Sequence, residues 1–301
     1  MHKYSALIAL VMTTIMLITN HGTEHVHSPE LNIKNFDEKH TEYFEGERPY
    51  TDGLEFSLTC SDCGEEFPFD GDVICETDKI TRDDTSLVFR SGEYTVELPV
   101  TVTPVRRIAF VGDSITHGVW GTAFPTYVKK ALRKNVTVGN FGVSGIAVTG
   151  WGGSWNDPDF RYIKQDVFDE VVAFEPELIF VMLGTNDAGN WEEALKTFDD
   201  DYEALLTAFL ETGADVIVLP PMPTTDRNTF ALPNEIISDE VKPHEKAVTD
   251  KLGIEFYDIN AMLTEYTPDG YYTDGVHLSE SGKTYFGGIM ADKIRDFYGI
   301  E

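Results

Sequence analysis

The sequence predicts an α/β domain built on a parallel sheet and preceded by a small all-β module. Three observations carry this. From Arg106 onward, short apolar runs alternate with amphipathic stretches of helical spacing, the pattern of repeated βαβ units. Between Leu31 and Thr103 the apolar residues instead recur at every second position, as in half-buried strands. Pro104 stands where one period gives way to the other.

A chain of 301 residues has room for one large domain and one small one. Its 52 acidic and 23 basic residues leave a net charge of −29. Such a surface repels polyanions, so no nucleic-acid partner is expected, and anionic lipid is disfavoured as well.

Residues 1–19 combine a basic start, His2 and Lys3, with an apolar run from Ala6 to Ile18. The run is shorter than the roughly 20 residues that span a bilayer and suits the apolar region of a secretory signal. The expectation is secretion; a membrane enters only if the segment is an uncleaved N-terminal anchor. Residues 20–30 form a polar linker containing His21, His25 and His27.

The small module occupies residues 31–104. Leu54, Phe56, Leu58 and Cys60 alternate with Glu55, Ser57 and Thr59; Tyr94, Val96, Leu98, Val100 and Val102 alternate again after a turn at Ser91-Gly92. A sandwich of short strands follows, with packing as its expected role and carbohydrate binding as the alternative. All three cysteines, Cys60, Cys63 and Cys75, lie here. Cys60-Ser61-Asp62-Cys63-Gly64 resembles half a zinc knuckle, but no second cysteine pair or spaced histidine pair completes it. One disulfide with Cys75 is therefore expected, with three buried thiols as the alternative.

The α/β domain spans residues 105–301. Its strands are expected at Ile108–Val111, Val136–Phe141, Leu178–Leu183, Val216–Pro220 and Ile254–Ile259. Helices are expected over about 122–133, around Phe160, Ile163, Val167 and Val171, and over 192–211, 235–252 and 283–298.

In open α/β sheets the working site lies at the carboxyl ends of the strands. Three such ends carry polar loops: Gly112-Asp113-Ser114, then Asn140-Phe141-Gly142-Val143-Ser144-Gly145, then Gly184-Thr185-Asn186-Asp187; a fourth loop reads Asp274-Gly275-Val276-His277. A serine hydroxyl is a weak nucleophile and needs a base. His277 can serve, with Asp274 three residues earlier to orient the imidazole and stabilise its cation. The charge that develops on a carbonyl oxygen needs donors already aimed at it. The backbone N–H groups of Ser114 and Gly145 and the side-chain amide of Asn186 supply three. His117 sits on the nucleophile's own turn and is expected to line or pack the pocket, and His244 lies in a charged, solvated helix.

These four blocks resemble the SGNH, or GDSL-type, hydrolase family, with Ile115 where the family name has leucine. The resemblance covers about Arg106 to Tyr298. It implies a three-layer α/β/α flavodoxin-like domain with five parallel strands, ester hydrolysis through an acyl-enzyme, and no metal or organic cofactor. The β module lies outside it. Ser281-Gly282-Lys283-Thr284 mimics the end of a phosphate loop without its earlier glycine, and no G-x-S-x-G elbow is present.

All four tryptophans follow the blocks: Trp120, Trp151, Trp155 and Trp191. Indole faces beside an acidic pocket suit stacking on sugar rings. The layout is similar to that of secreted bacterial carbohydrate acetylesterases, so the expected partner is an acetylated polysaccharide or oligosaccharide. A lipid acylhydrolase and a non-catalytic glycan-binding protein are the alternatives.

Overall fold

A computed structural model describes residues 26–300 apart from Trp120, residues 133–134, residues 152–156, Pro158 and residues 267–268. The chain divides into two compact units, Met1–Val102 and Thr103–Glu301.

The first unit is built from short strands. Pro29–Ile33, Phe56–Cys60 and Glu66–Phe67 form one antiparallel sheet; Ile74–Cys75, Ser86–Ser91 and Tyr94–Pro99 form another; Glu42–Phe44 pairs with Thr101–Thr103. Alternation sends Leu87 and Phe89 inward, where they join Tyr43, Ile80 and Leu98 in a core. Phe56 of the first sheet meets Phe89 of the second with ring centroids 5.4 Å apart, so the unit is a small sandwich. No disulfide joins the three cysteines, so the one expected with Cys75 is not formed. Cys75 lies on the second sheet and donates to the Thr77 carbonyl at 3.6 Å, whereas Cys60 ends a strand of the first.

The second unit holds five parallel strands: β1 (Arg106–Gly112), β2 (Val136–Gly142), β3 (Leu178–Met182), β4 (Asp215–Val218) and β5 (Glu255–Phe256), in the spatial order 2-1-3-4-5. This is the flavodoxin-like order. Apolar runs without alternation suit strands covered on both faces. Ile108 and Phe110 of β1 point into one core with Leu178 and Phe180; Ala109 and Val111 point into the other with Ile179 and Val181.

Helices α1 (Phe124–Ala131), α5 (Ile259–Tyr266) and α6 (Glu280–Tyr298) cover the first face through Phe124, Leu263 and Phe286. Helices α2 (Asp166–Ala173), α3 (Phe198–Leu210) and α4 (Lys242–Leu252) cover the second through Val171, Phe209 and Val248. Phe110 stacks on Phe180 at 5.0 Å and meets the edge of Phe124 at 5.2 Å. Each such buried ring contributes about 1.5–3 kcal/mol. No helix among the described residues is long and apolar enough to cross a membrane.

The helix expected around Phe160, Ile163, Val167 and Val171 begins only at Asp166, after a 3-10 turn at Tyr162–Lys164. Three further differences have a local cause. The fifth strand stops at Phe256, because the Asp258 carboxylate accepts the Ala261 N–H at 3.0 Å and caps α5 instead. The helix expected over 192–211 breaks: Trp191–Ala194 ends before Thr197, whose backbone at φ −134° is not helical, and α3 starts beyond it. The helix expected over 235–252 contains a π turn at Ile237–Val241 just before Pro243, whose missing N–H interrupts regular α bonding.

Candidate active site

The sheet register aligns Gly142, Gly112 and Met182 in one row at the carboxyl edge. The loops leaving that row carry Gly145, Ser114 and Asn186. Parallel pairing alone therefore brings three residues from distant sequence positions to one edge.

Ser114 opens a one-turn helix, Ser114–His117, capped by the Asp113 carboxylate, which accepts the Ile115 N–H at 2.9 Å. Asp113 is fully buried, and that burial raises its carboxyl pKa despite the Ile115 bond. Ser114 donates to Nε2 of His277 at 2.8 Å, and His277 Nδ1–H donates to Oδ2 of Asp274 at 2.7 Å. The carboxylate fixes the tautomer, leaving the Nε2 lone pair for the serine proton. Asp274 Oδ1 also accepts the N–H groups of Val276 at 3.0 Å and His277 at 2.8 Å, so its own loop is wound around it. Burial pushes the Asp274 carboxyl up, but the backbone and imidazole bonds from His277 and the Val276 N–H outweigh it and hold the pKa below the usual carboxylate value.

Asn186 donates from Nδ2 to the Ile146 carbonyl at 2.7 Å. A primary amide has two N–H donors, so one orients the group and leaves the other for a further acceptor. The same bond holds the Gly145-Ile146 turn against the Asn186 loop. Asp187 adds to it, accepting the Val148 N–H at 2.9 Å and both the N–H and hydroxyl of Thr149 at 3.0 and 2.8 Å. Gly184 is required behind this loop: its φ is 94°, and a Cβ would meet Glu245 Oε1 and Val241 Cγ1, both at 2.8 Å.

The tryptophans divide. Trp120 and Trp155 lie outside the described residues. Trp151 is half-buried and packs on the core, with its backbone N–H donating to the Thr149 hydroxyl at 3.2 Å. Trp191 is 8% exposed and meets Phe198 edge-on at 5.1 Å, which makes it a core residue and not a sugar platform. His117 is exposed, and its Nδ1 pairs with the Gly142 carbonyl at 3.0 Å and not with Ser114. His244 is paired with Asp199 at 2.7 Å and lies against Trp191, so it is less solvated than its charged neighbours suggest. Lys283, inside the phosphate-loop mimic, is buried and donates to the Val119 carbonyl at 3.2 Å.

One site residue escapes sequence inspection. Phe230 is 48% exposed, and its ring meets the His277 imidazole edge-to-face at 5.5 Å. It sits on the long connection after β4, and that connection docks on the catalytic loop: Thr225 N–H donates to the Gly275 carbonyl at 2.9 Å. A Cβ on Gly275, at φ 88°, would lie 2.4 Å from the Asn228 nitrogen, so glycine permits the docking. The strand-end rule points to this connection, since it leaves the same carboxyl edge.

The half-buried Asp274 and the fully buried Glu245 each carry a prediction. Asp274→Asn lowers kcat by about 10³–10⁴-fold by disturbing the imidazole tautomer. Because the folded pKa of Asp274 is depressed, its stabilisation is present above the ordinary value of about 3.9 and fades as pH falls through the lowered one. The gap in Tm between the native chain and this variant therefore narrows in acid; a gap that widens there refutes the assignment. Glu245 is fully buried, and burial, aided by the Asp187 charge, raises its pKa well above the ordinary glutamate value. The folded state then holds the extra proton, so stability falls as pH rises above about 4.3. Glu245→Gln removes that decline, which melting curves from about pH 5 to about pH 9 will show as a flatter pH dependence of Tm.

The model of the GDSL-like lipase/acylhydrolase family matches residues 110–284. An acetylxylan esterase from Xylanibacter ruminicola is 24% identical over 231 residues, which make up 68% of this chain and 46% of that protein. The chain thus spans about half the length of the curated relative it matches. A crystal structure of a carbohydrate acetylesterase from Sinorhizobium meliloti superposes with a TM-score of 0.52 at 18% identity, covering 64% of this chain and 99% of that one. That likeness supports the SGNH hydrolase fold, and the matched span contains the Ser114, Asn186 and His277 loops. The chain belongs to the GDSL-like lipase/acylhydrolase family.

Proposed function

We propose that the protein is a secreted serine esterase that removes acetyl groups from carbohydrate. The observation that carries the esterase reading is the continuous chain Ser114 Oγ–His277 Nε2 and His277 Nδ1–Asp274, at 2.8 and 2.7 Å. The substrate class is supported by the similarity to the acetylxylan esterase. Secretion rests on the apolar run Ala6–Ile18.

Ser114 Oγ attacks the ester carbonyl while its proton passes to His277 Nε2. The tetrahedral oxyanion is met by the Ser114 and Gly145 N–H groups and the second N–H of Asn186. Collapse breaks the bond to the sugar oxygen, which takes the proton from His277. The acetyl group stays on Ser114. Water then attacks this acyl-enzyme, giving its proton to the imidazole, and acetate leaves as the serine recovers its hydrogen. Asp274 remains ionised throughout and stabilises the imidazolium. The exposed ring of Phe230, edge-to-face with His277, offers an apolar face to a substrate beside the base.

The deciding experiment is acetate release from acetylated xylan and other acetylated glycans, set beside a series of p-nitrophenyl esters. Turnover of acetylated glycan, with acetyl esters favoured in the series, supports the proposal. A preference for octanoyl or longer esters assigns the protein to lipid acylhydrolysis, and tight glycan binding without turnover assigns it to glycan recognition. Ser114→Ala lowers kcat by roughly 10⁴–10⁶-fold, and Asn186→Ala by about 10²–10³-fold. Phe230→Ala raises KM for the glycan and leaves kcat for p-nitrophenyl acetate close to native. Equal loss in both assays shows that the ring supports His277 and does not contact the sugar.

A further inference from the structure

The first unit contains a cluster of metal-ligating side chains that the esterase chemistry does not use. Strand Phe56–Cys60 ends in the turn Ser61-Asp62-Cys63, and Gly64, at φ 76°, reverses the chain. The Gly64 N–H donates to the Cys60 carbonyl, and the Cys60 N–H donates to the Glu65 carbonyl, both at 2.9 Å. These bonds close the C-x-x-C turn into a rigid hairpin.

The neighbouring strand supplies what the sequence pattern lacks. Pro29 pairs antiparallel with Cys60, so the residues before Pro29 run beside those after Cys60. The Ser61 N–H donates to the Ser28 carbonyl at 3.0 Å, and His27, one residue earlier, lands beside Cys63. His27 Nδ1 lies 3.5 Å from Cys63 Sγ, and the ligand atoms of His27, Cys60 and Cys63 all lie within 4.8 Å of one another. A zinc ion with sulfur at ~2.3 Å and nitrogen at ~2.0–2.1 Å sets tetrahedral ligand atoms roughly 3.5–3.8 Å apart. The three groups need to close by only a fraction of that span.

The imidazole is also held as a ligand would be. Its Nε2 lies 3.6 Å from Glu65 Oε2, and its ring stands edge-on to Phe67 at 5.3 Å. A carboxylate facing Nε2–H favours the tautomer whose Nδ1 lone pair faces the sulfurs, the arrangement that commonly supports a metal-bound histidine. Two thiolates and one imidazole favour zinc over the hard cations.

We propose that His27, Cys60 and Cys63 bind one zinc-class divalent ion, with water in the fourth position and Glu65 orienting His27. The ion ties the chain entering the first strand to the hairpin turn beside it. On binding, the two thiols release their protons and no redox change occurs.

The test uses the full chain, reduced, stripped with a chelator and titrated with Zn²⁺ and Co²⁺. The expected result is one zinc per chain and, with cobalt, tetrahedral d–d bands with thiolate-to-metal charge transfer. His27→Ala and Cys63→Ser, both altering residues that are not fully buried, each abolish the charge-transfer spectrum while circular dichroism stays native. Glu65→Gln weakens zinc binding about 10–100-fold. Sub-stoichiometric zinc in the reduced chain, an octahedral cobalt spectrum, or stoichiometric zinc that survives both His27→Ala and Cys63→Ser overturns the proposal.

Discussion

The site depends on one buried carboxylate. Asp187 has no exposure and accepts three hydrogen bonds from Val148 and Thr149, across thirty-eight or more residues of sequence. Its burial raises its pKa, and the donors from the partner loop oppose that rise. The bonds therefore do two things at once. They compensate the cost of placing an acid in the interior, and they fasten the loop after β3 to the loop after β2. Asn186 immediately precedes one end of this fastening, and Gly145 lies three residues before Val148 at the other. The proposed oxyanion hole, built from two loops, acts only if their spacing is fixed before a substrate arrives. Asp187 fixes that spacing through bonds to protein groups alone.

The constraint propagates outward. Gly184 lets helix α4 and its preceding π turn press on the back of the Asn186 loop, with no room for a Cβ. The wide turn at Ile237–Val241 follows from Pro243, so a local backbone rule far from the chemistry shapes the wall behind the oxyanion donors. On the other side, Lys283 of α6 holds the carbonyl of Val119 just beyond the nucleophile's helix. The −29 net charge is compatible with this interior, because the buried acids are either bonded, as Asp187 is, or shifted toward the neutral form, as Glu245 is.

Much of the candidate site is legible in the sequence. Ester chemistry restricts the residue types, and parallel register then places strand-end loops together. The hydrogen-bond chain of Ser114, His277 and Asp274 joins residues that the sequence already singles out. What escaped did so for identifiable reasons. Trp191 follows its block as a sugar platform would, yet one turn of helix rotates it inward against Phe198. β5 ends short of its apolar run because Asp258 caps a helix through a side-chain bond that apolar periodicity does not register. The third ligand of the cysteine turn was hidden by distance along the chain. His27 and Cys63 are thirty-six residues apart, and only the antiparallel register of Pro29 with Cys60 makes them neighbours.

Phe230 shows the limit most clearly, and also its logic. The catalytic groups are anchored by bonds to backbone and to buried carboxylates. Phe230 lies beside Ala231, a non-glycine residue at φ 53°, on an irregular connection that touches the site from outside. Residues in that backbone region carry a cost of about 1–3 kcal/mol that surrounding contacts must offset. Here the offsetting contacts are nearby: the Asn228 side chain bonds the Phe230 N–H at 2.8 Å and the Leu232 carbonyl at 2.6 Å, clasping the strained residue between them. The ring is therefore presented by local loop chemistry and not by the sheet. Catalysis is written into strand ends, where sequence patterns are strong. The aromatic surface beside the base is written into a clasped loop, where a single Asn sets the geometry and no periodicity announces it.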